Sequence, residues 1–304
     1  MKGLHQIKTI GLTAIAPIVW GSTYVVTTEL LPSESPLLAA TLRALPAGLF
    51  LVLLSKTLPD RKWLVRLALL GLLNIGLFFY CLFFAATYLP GGMAAIVMSL
   101  QPIVVILFSW KWLNSELSLH HIMASVVGIL GIVLLVINSS VQIHLAGVAV
   151  ACVGTLSMAS GVVLTKKWGR PSGMTLLSFT GWQLFFGGLM LLPITLWAEG
   201  LPTHLSLPNY IGYLYLCVIG AILSYSLWFR GIEKLPPVTV SFLGFLSSVS
   251  ACVLGFLILD QTLTLPQLLG AMFVLIAIAL AAPRSTTSSK TPSDLLPSPA
   301  IKRN

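Results

Sequence analysis

The sequence predicts an all-α protein that crosses a lipid bilayer ten times, as two five-helix repeats of opposite orientation. Hydrophobic residues make up 57% of the 304 residues and charged residues only 8%, whereas soluble domains carry about 25% charged residues. The apolar residues form ten stretches of membrane-spanning length. Almost all Lys and Arg residues lie in every second connection between these stretches. Short connections rich in Lys and Arg are typical of cytoplasmic loops.

The ten stretches are read as helices because backbone groups in lipid must bond within their own segment. A helix needs roughly 20 apolar residues to cross the hydrocarbon core. The first stretch is longer than the apolar region of a signal peptide, so we expect an uncleaved first helix. Eight or nine helices are the alternative count, if one of the shorter spans is re-entrant. The predicted spans cover residues 10–28, 36–55, 66–86, 91–113, 121–138, 145–164, 175–197, 209–230, 237–259 and 265–282.

The charges predict the direction of each helix. If the spans alternate in direction, 16 of the 17 Lys and Arg residues share one side, and Arg43 alone lies within a span. The opposite side receives Glu29, Glu34, Glu199 and Asp260 without Lys or Arg. Short loops rich in Lys and Arg stay cytoplasmic, so we expect both termini in the cytoplasm. The net charge of +9 is scattered over loops, which argues against a nucleic-acid partner.

The two halves of the chain resemble each other in sequence. Residues 83–135 align with residues 229–281, and residues 42–49 align with residues 182–189. Few positions are identical, and the shared register of helices and turns is the stronger signal. The alignment predicts an internal repeat that spans most of the chain.

Each repeat contains five spans, and an odd number forces the second copy to enter the membrane in the opposite direction. We therefore expect a first repeat at residues 1–140 and an inverted second repeat at residues 141–283. Residues 284–304 are rich in Ser, Thr, Pro and Lys, and they are predicted to form a disordered cytoplasmic tail. The alignment also places Arg43 opposite Gln183.

Arg43 is the strongest candidate for a functional residue. It lies about 10 Å into the second helix, where a buried charge costs a few kcal/mol or more and marks a function or a partner. The functional interpretation is an anchor for a substrate carboxylate, or part of a gate. The structural alternative is a pairing with helix-end carbonyls, Glu29 or Glu34, or an extension to the membrane surface.

Polar and aromatic residues in other spans are candidates for the wall of a substrate cavity. In the first helix, Trp20, Thr23 and Thr27 share one face. For all of these residues the alternative is helix packing, or a hydrogen bond to the residue's own helix. Pro17 and Pro102 are predicted to kink the first and fourth helices, because proline lacks a backbone donor. The other candidates are Asn74, Tyr80, Ser99, Gln101, Ser157, Ser160, Ser224, Trp228 and Ser248.

The sequence does not predict a metal, a cofactor or a catalytic centre. The four cysteines lie in apolar spans without metal-ligand spacing, and GxxxxGK[ST], HExxH and GxSxG motifs do not occur. We therefore prefer a non-enzymatic transporter of small molecules in the bilayer, as a monomer or a homodimer. An integral-membrane enzyme and a membrane sensor or regulatory protein are the alternatives.

Several motifs resemble one family of membrane proteins. The segments APIVWGSTYVVT, ATLRALPAGL, LPGGMAAIVMSLQPIVVILF and SYSLWFRGIEKLPPVTVSFLGFLSSV are similar to those of the EamA-type family of the drug/metabolite transporter superfamily, and of its PecM-like subgroup. The resemblance covers about residues 8–283. It implies a central cavity built chiefly from helices 1, 3, 4, 6, 8 and 9, with helices 5 and 10 more peripheral.

The resemblance also implies a function and a location. It suggests a secondary transporter in a bacterial inner membrane that exports, or sometimes imports, amino acids and related metabolites by alternating access. Arg recurs at the position of Arg43 across family members with different substrates, which favours a structural or gating role. The Gly-Glu pair common in the family is shifted or replaced here at Ser115-Glu116 and Asp260-Gln261, so these acids receive no transport role.

Overall fold

A computed structural model describes residues 2–32, 35–88, 91–136, 145–202, 204–260 and 262–283. Within these ranges the regular structure is entirely helical. Nine of the described helices are long and apolar enough to cross a membrane, and a further apolar helix, Leu265–Ala281, has 17 residues and is shorter. The chain is therefore a multi-pass membrane protein. The predicted tail at residues 284–304 lies outside the described residues.

The helices follow the predicted spans in order, and we number them α1 to α10. Four of them are made of more than one segment, which the bounds show. They are α1 Lys2–Leu30, α2 Pro36–Ser55, α3 Arg61–Gly71 with Leu72–Gly76 and Leu77–Tyr88, α4 Gly91–Met98 with Gln101–Leu113, α5 Leu119–Val136, α6 Leu145–Trp168, α7 Leu176–Ala198, α8 Leu207–Cys217 with Val218–Leu223 and Ser224–Lys234, α9 Pro237–Leu243 with Leu246–Ile258, and α10 Leu265–Ala281.

Polar residues at the helix ends satisfy backbone groups that the helices leave unpaired. The carboxylate of Asp60 accepts a hydrogen bond from the backbone N–H of Trp63 at the start of α3. At the start of α10 the side chain of Gln267 accepts from the backbone N–H of Thr264, which completes a capping box. Lys56, after α2, has a φ of 48° and ends its helix in the left-handed conformation.

Irregular turns interrupt α3, α4, α8 and α9 at matching places in the two halves. Residues Leu72–Gly76 in α3 and Val218–Leu223 in α8 are π-helical. α4 breaks between Met98 and Gln101, and α9 breaks between Leu243 and Leu246. Under the predicted alignment the two breaks agree to within one residue, and when that alignment is extended towards the start of α3 and α8 the two π-helical turns overlap.

The break in α4 lies directly before Pro102, as predicted for that proline. The break in α9 has no proline, and Ser241 and Ser247 donate side-chain hydrogen bonds to nearby backbone carbonyls there. Hydroxyls that bond to the backbone of their own helix can bend it. In α1, by contrast, the helix continues through Pro17 from Lys2 to Leu30.

The helices pack in a regular pattern of pairs. α2 packs along α7, and α5 packs along α10; α1 contacts both α8 and α9, while α6 contacts both α3 and α4. The main core lies between α2, α3, α7 and α8, where Leu51, Leu184 and Phe229 are fully buried. A second core joins α4, α5, α6, α9 and α10. Residues of both cores line the cavity described below.

Candidate functional site

A cavity of about 350 Å³ lies between the two halves of the chain. Helices α1, α3, α4, α6, α8 and α9 all contribute to its wall, α2 contributes Arg43, and α5 contributes only Ile132. This arrangement matches the cavity that the family resemblance implies. The lining residues are Trp20, Thr23, Arg43, Phe78, Phe79, Leu82, Ala95, Met98, Ser99, Gln101, Ile132, Met158, Tyr225, Trp228, Ser241, Gly244, Phe245, Ser247 and Ser248.

Arg43 is the one cation among the described lining residues, and only 7% of its surface is exposed. One terminal nitrogen donates a 2.8 Å hydrogen bond to the carbonyl oxygen of Gly220, within the π-helical turn of α8. The other donates a long hydrogen bond of 3.5 Å to the hydroxyl of Thr23. No acidic residue of the described chain forms an ion pair with Arg43, and Glu34 lies outside that part.

Aromatic rings surround the guanidinium of Arg43. Its central carbon lies 5.3 Å from the centre of the Phe79 ring and 6.0 Å from that of Tyr225, within the range of cation–π attraction. Trp20 lies 5.0 Å from Tyr225 and 5.1 Å from Trp228, centre to centre. The Trp20 indole also donates a 3.1 Å hydrogen bond to the carbonyl oxygen of Gly220, so this single oxygen holds both Trp20 and Arg43 in place.

The π-helical turn explains how Gly220 receives two donors. A π-helical turn shifts the backbone hydrogen bonds of the helix by one residue and is often found at functional sites. A β-carbon at Gly220 would lie 3.5 Å from the nitrogen Nε of Arg43, which is an ordinary van der Waals contact, so the guanidinium lies directly against this turn. The local backbone of α8 therefore positions the cation at the cavity wall.

The structure divides the twelve predicted cavity residues into two groups of six. Trp20, Thr23, Ser99, Gln101, Trp228 and Ser248 line the cavity together with Arg43. Thr27, Asn74, Tyr80, Ser157, Ser160 and Ser224 do not line it.

Most of the residues outside the cavity satisfy the helix backbone. Thr27 and Ser160 donate to carbonyls of their own helices, and Ser224 donates to Ile219 at the end of the π-helical turn. Ser157 donates to the carbonyl oxygen of Leu73 across the α3–α6 contact. Tyr80 lies at the edge of the main core. These geometries match the alternative interpretation of hydroxyls within spans.

Asn74 belongs to a buried polar cluster that does not line the cavity. Its amide nitrogen donates to the side-chain oxygen of Gln183 at 3.0 Å and to the hydroxyl of Thr165 at 3.2 Å. Gly161 faces the same amide, and a β-carbon there would clash with Asn74. The cluster thus joins α3, α6 and α7.

Sequence reasoning did not select several lining residues, chiefly Phe78, Phe79 and Ser247. Phenylalanines in an apolar span carry no polar signal, so composition does not separate a cavity wall from a core. Tyr225 precedes the predicted Trp228 by three residues, and this spacing puts both on one helix face.

Several curated relatives resemble this chain over most of its length. It is 52% identical over 265 residues to Protein PecM of Dickeya dadantii, with 87% of this chain and 89% of that protein covered. It is 28% identical over 287 residues to the uncharacterized transporter YvbV of Bacillus subtilis, covering 92% and 93% of the two chains. It is 26% identical over 268 residues to the uncharacterized inner membrane transporter YedA of Escherichia coli strain K12, covering 86% and 87%.

The fold also matches a solved structure. A crystal structure with 15% sequence identity superposes with a TM-score of 0.78, over 91% of this chain and 96% of the other. Two stretches of the chain, residues 7–137 and 145–282, match the model of the EamA-like transporter family. The motifs in the spans predict this membership, and the similarity to PecM agrees with the predicted subgroup. The chain therefore belongs to the EamA-like transporter family, as a PecM-like member.

Proposed function

We propose that the chain is a secondary transporter that exports small organic solutes, amino acids or related metabolites, by alternating access between two inverted five-helix repeats. One observation carries the proposal: a cavity between the two halves is bordered by a buried arginine that has no ion pair within the described chain. Substrate sites of transporters built from inverted repeats lie in this position. The names of YvbV and YedA, which call them transporters, agree with this proposal.

The packing pattern supports the inverted repeat. If α1–α5 correspond to α6–α10, the α2–α7 and α5–α10 pairs each map onto themselves. The contacts of α1 with α8 and α9 map onto those of α6 with α3 and α4. A two-fold relation between the halves produces this reciprocity, whereas two unrelated five-helix units would not.

Individual contacts repeat in the same way. Extending the alignment of α3 and α8 places Asn74 opposite Gly220, and Arg43 is opposite Gln183. Arg43 contacts Gly220, and Gln183 contacts Asn74. Each half thus joins its second helix to the π-helical turn of the other half. We propose that these two junctions are equivalent parts of the repeats at residues 1–140 and 141–283.

The number and direction of the helices follow from the same proposal. Ten spans, with α10 as the last, place both termini on the Lys- and Arg-rich side, which is the cytoplasm. The match with YedA, which is named an inner membrane transporter, supports a bacterial inner membrane. Export by alternating access then requires the cavity to open in turn to the cytoplasm and to the opposite side.

Flux through purified protein in liposomes tests the transport proposal. Vesicles are loaded with radiolabelled amino acids and their deaminated derivatives, and release is compared with that of empty vesicles. Ser248→Trp fills the cavity and should abolish release. Leu257→Trp, on the same helix at a residue that is 65% exposed, is the matched control and should leave release unchanged. The proposal fails if no solute leaves faster than from protein-free vesicles.

A further inference from the structure

Three buried nitrogen donors on the cavity wall have no hydrogen-bond partner within the described chain. They are Nε of Arg43, Nε2 of Gln101 and Nε1 of Trp228. Arg43 and Trp228 are 7% and 1% exposed, so both are more than nine-tenths buried. Buried donors without an acceptor are expensive and uncommon in folded proteins. All three of these atoms require an acceptor, and none of them can supply one.

From this donor set we infer that the solute bound in the cavity is an organic anion, a carboxylate on an aromatic or apolar body, and not a zwitterion or a cation. The inference rests on the proposed transport function and narrows its substrate class. Carboxylate oxygens accept several hydrogen bonds and pair well with guanidinium. An anion beside Arg43 would neutralise its charge, and its oxygens are acceptors of the kind that the three donors lack.

An ammonium group, in contrast, finds only uncharged acceptors, such as the amide oxygen of Gln101, and no carboxylate among the described lining residues. The described lining residues include no Asp or Glu, and the carbonyl oxygen of Gly220 already accepts bonds from Arg43 and Trp20. The nearby hydroxyls of Ser99 and Ser247 donate to carbonyls of their own helix and offer only their lone pairs. The positive charge of Arg43 repels a second cation, and the repulsion is strong where water is scarce.

The rest of the wall is suited to the apolar body of such an anion. Trp20, Tyr225 and Trp228 form one aromatic surface, with ring centres 5.0 and 5.1 Å from Trp20. Aromatic rings stack on such surfaces in offset or tilted arrangements. The volume of about 350 Å³ equals roughly a dozen water molecules at about 30 Å³ each, which suits one single-ring metabolite.

Three ligands with the same aromatic body separate the charge classes. We would measure the binding of 3-phenylpropionate, phenylalanine and phenethylamine to the detergent-purified full-length protein by titration calorimetry. These carry a carboxylate alone, a carboxylate with an ammonium, and an ammonium alone. We expect 3-phenylpropionate to bind at least about tenfold more tightly than the other two. Propionate, which lacks the ring, should bind more weakly than 3-phenylpropionate.

Variants of the three donors locate the binding to this cavity. Arg43→Gln should weaken 3-phenylpropionate at least about tenfold, because a charged hydrogen bond is lost. Trp228→Phe keeps a ring and removes the N–H, and should weaken binding by a factor of about three to ten. Gln101→Glu places a carboxylate in the wall, and it should weaken 3-phenylpropionate while strengthening phenylalanine relative to it.

Two controls lie outside the cavity. Trp182→Phe removes a buried indole N–H that bonds to the carbonyl oxygen of Thr57, and Ser109→Ala removes a buried, unpartnered hydroxyl of α4. Both should leave the affinity for 3-phenylpropionate unchanged. Elution as a single species in size-exclusion chromatography shows whether each variant is folded. The comparison of the three ligands uses the wild-type protein alone, so it tests the inference even if a variant does not fold.

The outcomes separate the inference from the transport proposal. If phenylalanine binds within about threefold of 3-phenylpropionate, or if 3-phenylpropionate does not bind, the anion inference is overturned, although flux of other solutes would still support transport. If 3-phenylpropionate binds as expected but no solute crosses the liposome membrane, the transport proposal fails and the anion site stands. An unchanged affinity in Arg43→Gln places the ligand elsewhere and also overturns the inference.

Discussion

At the scale of single residues, Arg43 and Gln183, which the proposed repeat makes equivalent, have different surroundings. Arg43 borders a cavity and keeps an unpartnered nitrogen. Gln183 is fully buried and accepts a hydrogen bond from Asn74, which also bonds to Thr165. The amide oxygen of Asn74 is also unpartnered in the described chain, so the two junctions differ in that only the first borders the cavity.

We expect the buried junction to contribute to stability and not to binding. Asn74→Leu removes the donor to Gln183 and leaves the amide oxygen of Gln183 without its partner. Hydrogen bonds between membrane helices contribute about 0.6 kcal/mol on average, and an unsatisfied buried group costs about 1–3 kcal/mol. We therefore predict a loss of about 1–2 kcal/mol in the free energy of unfolding, measured by titration with SDS in mixed micelles.

The same variant also tests whether the buried junction affects ligand binding. The affinity of Asn74→Leu for a cavity ligand should equal that of the wild type, because Asn74 does not line the cavity. A variant as stable as the wild type, or a variant with weakened binding and unchanged stability, would contradict this division between the two junctions.

The residue scale also shows where sequence reasoning stops. The single cation in a span identifies Arg43, because a charge in an apolar stretch is visible without a structure. Its partner Gly220 is 177 positions away and has no side chain, so no pattern in the sequence indicates it. The hydroxyls of Thr27 and Ser160 resemble cavity residues in the sequence, and only the fold shows that they bond to their own helices.

At the scale of helices, α2 and α7 cross through a reciprocal pair of glycines. A β-carbon at Gly48 would clash with the backbone of Phe185, and one at Gly188 would lie 2.5 Å from the backbone nitrogen of Leu45. The predicted alignment makes Gly48 equivalent to Gly188, and Leu45 equivalent to Phe185. Small residues allow such close approach of membrane helices.

Substituting either glycine should push α2 and α7 apart. We predict that Gly48→Ala and Gly188→Ala each lower the free energy of unfolding by about 1–3 kcal/mol, as expected for overpacking. Because the two sites share one interface, the double variant should cost less than the sum of the single variants. SDS titration of the three variants measures these effects.

Gly11→Ala provides the matched control, since no atom lies within 4 Å of the added methyl group. It should be neutral, or stabilising by up to about 1 kcal/mol, because alanine is the better helix former. Equal effects of Gly11→Ala and Gly48→Ala would show that helix propensity, and not packing, determines the result.

Helix positions were predictable and helix irregularities were not. Nine of the predicted spans correspond to described helices that are long and apolar enough to cross a membrane, because apolar length is a strong signal, and the tenth corresponds to the shorter α10. The π-helical turns in α3 and α8, and the break in α9, have no proline to indicate them. These features depend on contacts between helices, which a single span does not encode.

At the scale of the whole molecule, we infer from burial and charge contacts that the Lys- and Arg-rich end of the cavity is closed in this conformation. All seven residues of the α9 segment Pro237–Leu243 are buried, while only Gly255 is buried in Leu246–Ile258. Beside that segment, Arg170 forms a 2.8 Å ion pair with Glu233, and Lys166 donates a hydrogen bond to the carbonyl oxygen of Glu233. These contacts join the end of α8 to the region between α6 and α7.

Glu233→Gln should favour opening at this end, because it removes the ion pair and keeps the carbonyl oxygen that Lys166 binds. Both partners are partly exposed, at 34% and 22%, so the pair is worth about 0.2–1 kcal/mol. We therefore predict a change of up to about fivefold in the equilibrium constant between the conformation open at this end and the conformation open at the opposite end. In a Ser248→Cys background without the native cysteines, labelling by an impermeant thiol reagent from the opposite side should slow accordingly.

Arg230→Gln removes a charge from the same end of α8 without a described ion pair and serves as the control. Its labelling rate should match that of the Ser248→Cys parent. Labelling of Glu233→Gln that is as fast as in the parent would show that the ion pair does not hold this end closed.

The last prediction concerns whether α10, the shortest of the ten helices, crosses the membrane, because this decides on which side the C-terminus lies. At about 1.5 Å per residue, the 17 residues of α10 extend about 25 Å, whereas the hydrocarbon core is about 30 Å thick. An even number of spans puts both termini on one side, and an odd number puts them on opposite sides. Polar residues at Thr264 and Gln267 cap one end of α10, and a short helix can be accommodated by local thinning of the bilayer. We therefore expect α10 to span the membrane.

Green fluorescent protein fused to either terminus should fluoresce, whereas alkaline phosphatase fused to either terminus should be inactive, because it folds only outside the cytoplasm. Active phosphatase at the C-terminus alone would show nine spans, and it would remove the five-plus-five repeat on which alternating access is proposed.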